Sequence, residues 1–127
     1  MIVADSDVLI DGLRGRDPWR RRIAGELAAG RLATTTISVF ELSSGVRAGD
    51  EPERRRVEAL LAAMAILPLD AAAATDAAAI RRLLESKGQP LATADYLIAG
   101  ICRSRSAVLL TRNRQHFERV PGLILGS

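Results

Sequence analysis

The sequence predicts an α/β fold, a three-layer α/β/α sandwich with a mostly parallel central sheet. Short runs of β-branched and aliphatic residues, typical of buried strands, alternate with longer segments whose apolar residues recur at helical spacing. Strands separated by helices require crossover connections, which produce parallel sheets covered on both faces. The chain of 127 residues has no linker, repeat or low-complexity segment, so we expect a single domain, residues 1–127.

The amino-terminal half is expected to contribute three strands. The first, Ile2–Ala4, stops at Asp5, and helical spacing begins at Val8. Proline suits a first helical turn and glycine suits a helix end, so these residues mark several boundaries. The expected elements that follow are a helix from Asp17-Pro18 to about Ala29, a strand Leu32–Thr35, a helix from Ser38 to about Gly45 or Gly49, a helix from Glu51-Pro52 carrying Val57, Leu60, Leu61 and Met64, and a strand Ala65–Leu69.

The carboxyl-terminal half is expected to contribute two long helices and two more strands. The first helix is alanine-rich and ends before Gly88. The expected elements are a helix Ala71–Ser86 anchored by Ile80, Leu83 and Leu84, a helix from Thr93 with Leu97, Ile98, Ile101 and Cys102 inward, a strand Val108–Leu110, a one-turn helix at Gln115 to Phe117, and a strand Leu123–Leu125.

Composition excludes several classes of protein. No apolar run reaches the length of a membrane span and the start of the chain lacks a signal-peptide pattern, so we expect no membrane partner and a cytoplasmic location. One cysteine and one histidine exclude an internal disulfide and a His/Cys zinc cluster, and Cys102 is expected to pack in the core. The net charge of +3, carried almost wholly by arginine, fits an anionic partner or simply the codon bias of a GC-rich genome.

Polar side chains gather where the predicted strands end. Asp5 ends the first strand, Glu41 lies one turn into the helix after the second, and Asp95 begins the helix before the fourth. Thr111 and Asn113 follow the fourth strand. In a parallel sheet these positions share one edge, where three carboxylates need a cation to offset their repulsion. Oxygen ligands without histidine or cysteine favour Mg²⁺ or Mn²⁺.

Each of these residues also has a purely structural explanation. Ser38 and Glu41 have the spacing of a capping box, and Asp95 in a first helical turn complements the helix dipole. Asp7 or Asn113 can serve as an N-cap, and Thr111 can cap a strand end as readily as it can orient a ligand or a water molecule. A non-catalytic α/β binding module whose acids are helix caps therefore stays open as an alternative.

Four segments follow one another in a characteristic order: Ile2–Asp11, Ile37–Gly45, Ala94–Gly100 and Thr111–Leu123. Together they resemble the motifs of PIN-domain nucleases, particularly the VapC toxins of bacterial toxin–antitoxin pairs. The resemblance implies a PIN-like fold and a metal-dependent endoribonuclease, usually a homodimer, that a cognate antitoxin inhibits. It also implies that Asp5, Glu41 and Asp95 are the metal ligands. Many relatives carry aspartate where this chain has Asn113, whose amide oxygen brings no charge.

The hydrolysis of an RNA phosphodiester fits these residues, since a metal held by carboxylates activates water and stabilises developing negative charge. Nearby arginines can hold the RNA backbone. His116 is expected to be structural, paired with Phe117 against the domain. The helix stripe of Trp19, Ile23 and Leu27 is expected to pack inward, and exposed apolar surface on this stripe is expected to support self-association.

Two phosphotransfer families begin with a similar acidic pair after a strand. A phosphotransferase of haloacid-dehalogenase type needs a threonine where this chain has Leu9, and a lysine near the site. A response-regulator receiver needs a lysine after a late strand, where this chain has Thr111 and Arg112. Because Lys87, the only lysine, lies in a predicted surface helix, neither family fits as well as a nuclease.

Overall fold

The computed structural model describes residues 1–127 as five strands and seven helices, which confirms the predicted α/β fold. All neighbouring strands are parallel, in the spatial order β3-β2-β1-β4-β5. None of the helices is both long and apolar enough to cross a bilayer. The elements are β1 (Ile2–Ala4), α1 (Ser6–Leu13), α2 (Trp19–Ala28), β2 (Leu32–Thr35), α3 (Thr36–Ser44), α4 (Glu51–Ala62), β3 (Ala65–Leu67), α5 (Ala71–Ser86), α6 (Thr93–Ser104), β4 (Val108–Leu110), α7 (Arg114–Phe117) and β5 (Ile124–Leu125).

The first strand occupies the centre of the sheet. Ile2 pairs with Leu32 of β2 on one side and with Val108 of β4 on the other. The chain therefore builds the sheet outward from β1 to β3 and then returns to add β4 and β5 on the opposite side. In parallel α/β sheets this reversal opens a crevice at the carboxyl ends of the strands, where ligands bind. Asp5 follows β1 directly and lies at that crevice.

Two hydrophobic clusters cover the two faces of the sheet. Val3 faces a cluster of 15 buried residues formed largely with α5 and α6, while Ala4 faces a second cluster of 7 buried residues formed with α1 to α4. Successive strand residues point to opposite faces, so a three-residue strand can serve both layers. Cys102 is free and fully buried in the first cluster, as expected.

Helices α5 and α6 approach each other at a glycine. A Cβ added to Gly100 would lie 2.5 Å from the carbonyl oxygen of Ala73 and 2.7 Å from the Cβ of Ala77. No larger side chain fits there without separating the helices. Because Asp95 is on the first turn of α6, this close packing also fixes the height of that acid at the edge of the sheet.

The structure corrects two predictions about helix surfaces. The stripe on α2 is not an exposed apolar surface, because Ile23 is buried and Trp19 and Leu27 pack against the second cluster. Leu83, expected as a core anchor of α5, is 36% exposed. Several boundaries also move by one to three residues: α1 begins at Ser6, α2 at Trp19 after Pro18, and α3 at Thr36.

Candidate active site

Asp5 is the centre of the candidate site. Its backbone N–H donates to the carbonyl of Leu110 at 2.9 Å, which ties it to β4. One carboxylate oxygen accepts from the N–H of Ser6 at 2.8 Å, so that Asp5 is the N-cap of α1. The other accepts from the hydroxyl of Thr111 at 2.9 Å. Two fixed donors therefore orient a carboxylate that is only 6% exposed.

Burial and, after it, the negative charge of Asp7 raise the pKa of the Asp5 carboxyl from 3.8 to about 7. The hydrogen bonds from Thr111 and Ser6 act in the opposite direction, because they stabilise the charged form. Asp95 adds a smaller repulsion. Burial and repulsion outweigh these hydrogen bonds, so a nearby cation would stabilise the ionised form of Asp5.

The three other acids at this edge act on one another. Burial is the main cause of the raised pKa of Asp95, and the charges of Glu41 and Asp7 raise it further. Glu41 is exposed, and its carboxylate accepts from the hydroxyl of Ser6 at 3.1 Å. The structure therefore brings the predicted residues Asp5, Glu41 and Asp95 to one edge, where they form a repulsive group.

Asp7 belongs to this group although the sequence indicated only a possible cap. Burial raises its pKa, while the N–H of Arg112, which donates at 3.2 Å, lowers it. Its charge raises the pKa of both Asp5 and Asp95. The spacing of Asp5 and Asp7 in the sequence could have indicated this, since a residue two positions past the end of a strand still lies at the edge of the sheet.

Thr111 and Asn113 form a short network behind Asp5. The Thr111 hydroxyl, which donates to Asp5, also accepts from the N–H of Asn113 at 3.0 Å. Asn113 stands at the N-cap position of α7, but its side chain makes no capping bond and instead lies 2.7 Å from Nδ1 of His116.

His116 does not pack against the domain as predicted. Its ring is exposed and its charge lowers the pKa of Asp95, whereas Phe117 alone is fully buried. The prediction failed because neighbouring residues of the one-turn helix α7 face different ways: Phe117 points into the core, and His116 stays at the edge of the sheet. His116 is therefore a further residue of the site.

The structural explanation fails for one of the three predicted ligands, Glu41. Thr35, and not Ser38, is the N-cap of α3, and its hydroxyl accepts from the Ser38 N–H at 3.1 Å. Glu41 therefore belongs to no capping box. Asp95 lies within the first turn of α6, as expected, where its charge complements the helix dipole, although the N-cap position is Ala92. Only Asp5 is a cap, and its second oxygen faces Thr111.

The donor set suits a hard divalent cation. All four acids present carboxylate oxygens, the ligands that Mg²⁺ and Mn²⁺ prefer. No three histidine, cysteine, aspartate or glutamate side chains are already arranged as a metal cage. The fit rests on the chemistry of the donors and on the raised pKa values of Asp5, Asp7 and Asp95.

A buried carboxylate holds two arginines beside the acids. Asp11, 6% exposed, pairs with Arg112 at 3.2 Å and with Arg16 at 3.4 Å. Both guanidinium groups stay more than half exposed. Since the N–H of Arg112 also donates to Asp7, a positive surface adjoins the negative one directly.

Comparison with known proteins places this geometry in a family. The chain is 33% identical over 121 residues to the tRNA(fMet)-specific endonuclease VapC of Shigella flexneri, covering 94% of this chain and 91% of that protein. It is 35% identical over 117 residues to Ribonuclease VapC10 of Mycobacterium tuberculosis, covering 92% and 86%.

Solved structures with the same fold include complexes. DNA-bound VapBC from Salmonella typhimurium matches with a TM-score of 0.89 at 28% identity, covering 98% of this chain and 96% of that one. VapBC2 from Rickettsia felis, bound to a promoter DNA fragment, matches with a TM-score of 0.89 at 25% identity, covering 99% and 98%. The family model for the PIN domain matches residues 2–123, and the chain belongs to the PIN-domain family.

Proposed function

We propose that the protein is a VapC-type toxin, an endoribonuclease that hydrolyses RNA phosphodiester bonds with Mg²⁺ or Mn²⁺. The observation that carries the proposal is the repulsive carboxylate group centred on Asp5, whose pKa burial and Asp7 raise to about 7. The relatives' names, an endonuclease and a ribonuclease, support RNA as the substrate. Such an enzyme would act in the cytoplasm, where its RNA targets are.

Asp5, Glu41 and Asp95 would hold the metal, with Asn113 offering a neutral amide oxygen at the same edge. When bound, the divalent ion would make a water molecule more acidic and offset negative charge developing on the phosphate. Thr111 keeps the Asp5 carboxylate oriented by donating to it. Asp7 adds negative charge, and the exposed guanidinium of Arg112 would bind a phosphate next to the cleaved bond.

We further propose that a cognate antitoxin blocks this edge of the sheet. The similar structures of VapBC from Salmonella typhimurium and Rickettsia felis support a partner of that kind, and VapBC-5 of Mycobacterium tuberculosis, similar with a TM-score of 0.60, is described as a toxin–antitoxin system. A homodimer stays a prediction that light scattering tests, and the α2 stripe no longer supports it. A strict monomer at micromolar concentration would refute it.

The function is tested by removing one carboxylate at a time. We expect Asp5→Asn, Glu41→Gln and Asp95→Asn each to abolish Mg²⁺- or Mn²⁺-dependent cleavage of RNA by purified protein, with the fold retained by circular dichroism. Glu85→Gln is the matched control, because Glu85 is an exposed acid of α5 paired only with Arg81. Cleavage that survives in all three variants, or that persists in excess chelator, would refute the assignment.

A further inference from the structure

A second concave surface lies at the same edge of the sheet as the acids. Its cavity of about 620 Å³ lies between the start of α2 and the residues that follow β5. Trp19 and three arginines, Arg21, Arg22 and Arg114, are among its seven lining residues. Trp19 is partly buried against the second hydrophobic cluster, and the rest of its surface lines this cavity.

The sheet register places this cavity beside the acids. The N–H of Gly126 donates to the carbonyl of Leu109 at 2.8 Å, and the Arg114 guanidinium donates to the carbonyl of Gly126. The cavity therefore lies at the carboxyl end of β5, two strand positions from β1. At about 4.8 Å per strand this is roughly 10 Å from the strand that carries Asp5, within reach of nucleotides that flank a bond cleaved there.

Each of the three arginines that line the cavity has one carboxylate partner. Arg21 pairs with Asp17 at 3.7 Å, Arg22 with Glu26 at 3.3 Å, and Arg114 with Glu118 at 3.9 Å. Each guanidinium has five N–H donors, so donors stay available in every pair. These pairs belong to a wider group in which seven arginines share four carboxylates: Arg16, Arg20, Arg21, Arg22, Arg31, Arg112 and Arg114, with Asp11, Asp17, Glu26 and Glu118.

Arg112 and Arg16 connect the cavity to the acids. Both are held by the buried Asp11, so their positions are fixed although their guanidinium groups are exposed. Arg114, two residues further along the chain, lines the cavity. Guanidinium groups in such a series match the repeating phosphates of a single strand, and a planar ring between them matches a base.

We propose that this cavity is a subsite for one nucleotide of single-stranded RNA, with its base stacked on Trp19 and its flanking phosphates bound by Arg21 and Arg114. The proposal rests on the RNA-cleaving function proposed above, and it adds the path that the RNA strand takes beyond the acids. An acidic polypeptide would also be attracted by the arginines, but it offers no planar base to stack on the indole ring.

The test uses Trp19 as its own reporter, since it is the only tryptophan in the chain. A single-stranded RNA oligonucleotide is titrated into the protein in the presence of a chelator, so that no cleavage occurs. We expect saturable quenching of the tryptophan fluorescence. An abasic oligonucleotide of equal length should bind without equivalent quenching, and polyglutamate should not quench. Equal quenching by polyglutamate or by the abasic strand would overturn the stacking proposal.

Substitutions separate phosphate binding from stacking. Arg21→Gln and Arg114→Gln should each lower the slope of log affinity against log salt by about 0.7, the value for one phosphate contact of a single strand. Arg81→Gln is the matched control, because Arg81 has the same i,i+4 pairing with Glu85 that Arg114 has with Glu118. Trp19→Leu keeps apolar volume but lacks the ring, and should weaken binding roughly tenfold.

The outcomes also distinguish this proposal from the function on which it rests. Cleavage by the wild type without any Trp19 quenching, and with unchanged salt slopes in Arg21→Gln and Arg114→Gln, would overturn the subsite and leave the nuclease intact. Quenching and salt dependence as expected, without cleavage under any divalent ion, would overturn the nuclease and support the cavity as an RNA-binding surface.

Discussion

Replacing Asp5 with asparagine is expected to stabilise the metal-free protein above neutral pH. The pKa of Asp5 rises from 3.8 to about 7 on folding, mainly through burial. At about 1.36 kcal/mol per pKa unit, keeping this side chain ionised at pH 8 costs about 4 kcal/mol. Asparagine removes that cost but can accept only one of the two hydrogen bonds from Ser6 and Thr111, a loss of about 2 kcal/mol. The expected net gain is about 2 kcal/mol.

The gain depends on pH with a definite sign. Between about pH 4 and pH 7 the folded protein keeps a proton on Asp5 that the unfolded chain releases, so the free energy of unfolding falls as pH rises through this window. Above pH 7 both states are ionised and the cost is constant. At pH 5 the cost is only about 2 kcal/mol, and the benefit of Asp5→Asn should then disappear.

Urea unfolding with chelator, followed by circular dichroism at pH 5 and pH 8, measures this difference. Asp50→Asn is the control: Asp50 is also an N-cap that accepts a backbone N–H, and asparagine caps equally well. Adding Mn²⁺ should stabilise the wild type and leave Asp5→Asn unchanged, since only a protein that binds the ion gains from it. An Asp5→Asn variant less stable than the wild type at pH 8 would show that burial does not penalise this carboxylate.

Two further predictions concern the network behind Asp5. Thr111→Val removes the hydroxyl that donates to Asp5 and accepts from Asn113, and stability should fall by about 1–3 kcal/mol. Because the Thr111 hydroxyl lowers the pKa of Asp5, its loss should shift the pH–rate profile of cleavage to higher pH. An unchanged profile would contradict a positioning role for Thr111. Asn113→Asp adds a carboxylate 2.7 Å from the His116 ring, which should tighten Mn²⁺ binding several-fold by titration calorimetry; unchanged affinity would leave Asn113 as a partner of His116 alone.

The sequence was sufficient to predict the sheet edge and its acids, because both depend on local signals. A three-residue apolar run ending at Asp5 defines a strand end, and a parallel sheet gathers such ends on one side. The link from Thr111 to Asp5 spans 106 positions of the chain and has no local signal. Only the pairing of β1 with β4 brings the two together.

Predictions about side-chain direction were weaker for short elements than for long ones. Helix α6 has twelve residues, and its buried side chains Ile98, Ile101 and Cys102 follow the periodic pattern. Helix α7 has four residues, which is too short for a period, and His116 was placed wrongly. How much of a helix surface other elements cover also depends on the tertiary packing and not on the local sequence. The apolar pattern of α5 therefore predicts Leu83 to be in the core, whereas the structure leaves it partly exposed.

The site weakens the fold that holds it, and a bound cation would relieve that cost. The N-terminus of α1 and the Thr111 hydroxyl stabilise the Asp5 carboxylate, but they offset only part of the effect of burial and of Asp7. A penalty of about 4 kcal/mol is large against the 5–15 kcal/mol by which domains are typically stable. Moving Asp5 to the surface would remove the penalty, but would also surround any bound ion with water that screens its charge. The repulsion among the acids is therefore the property that a bound divalent ion would relieve, and we expect metal binding to raise folding stability.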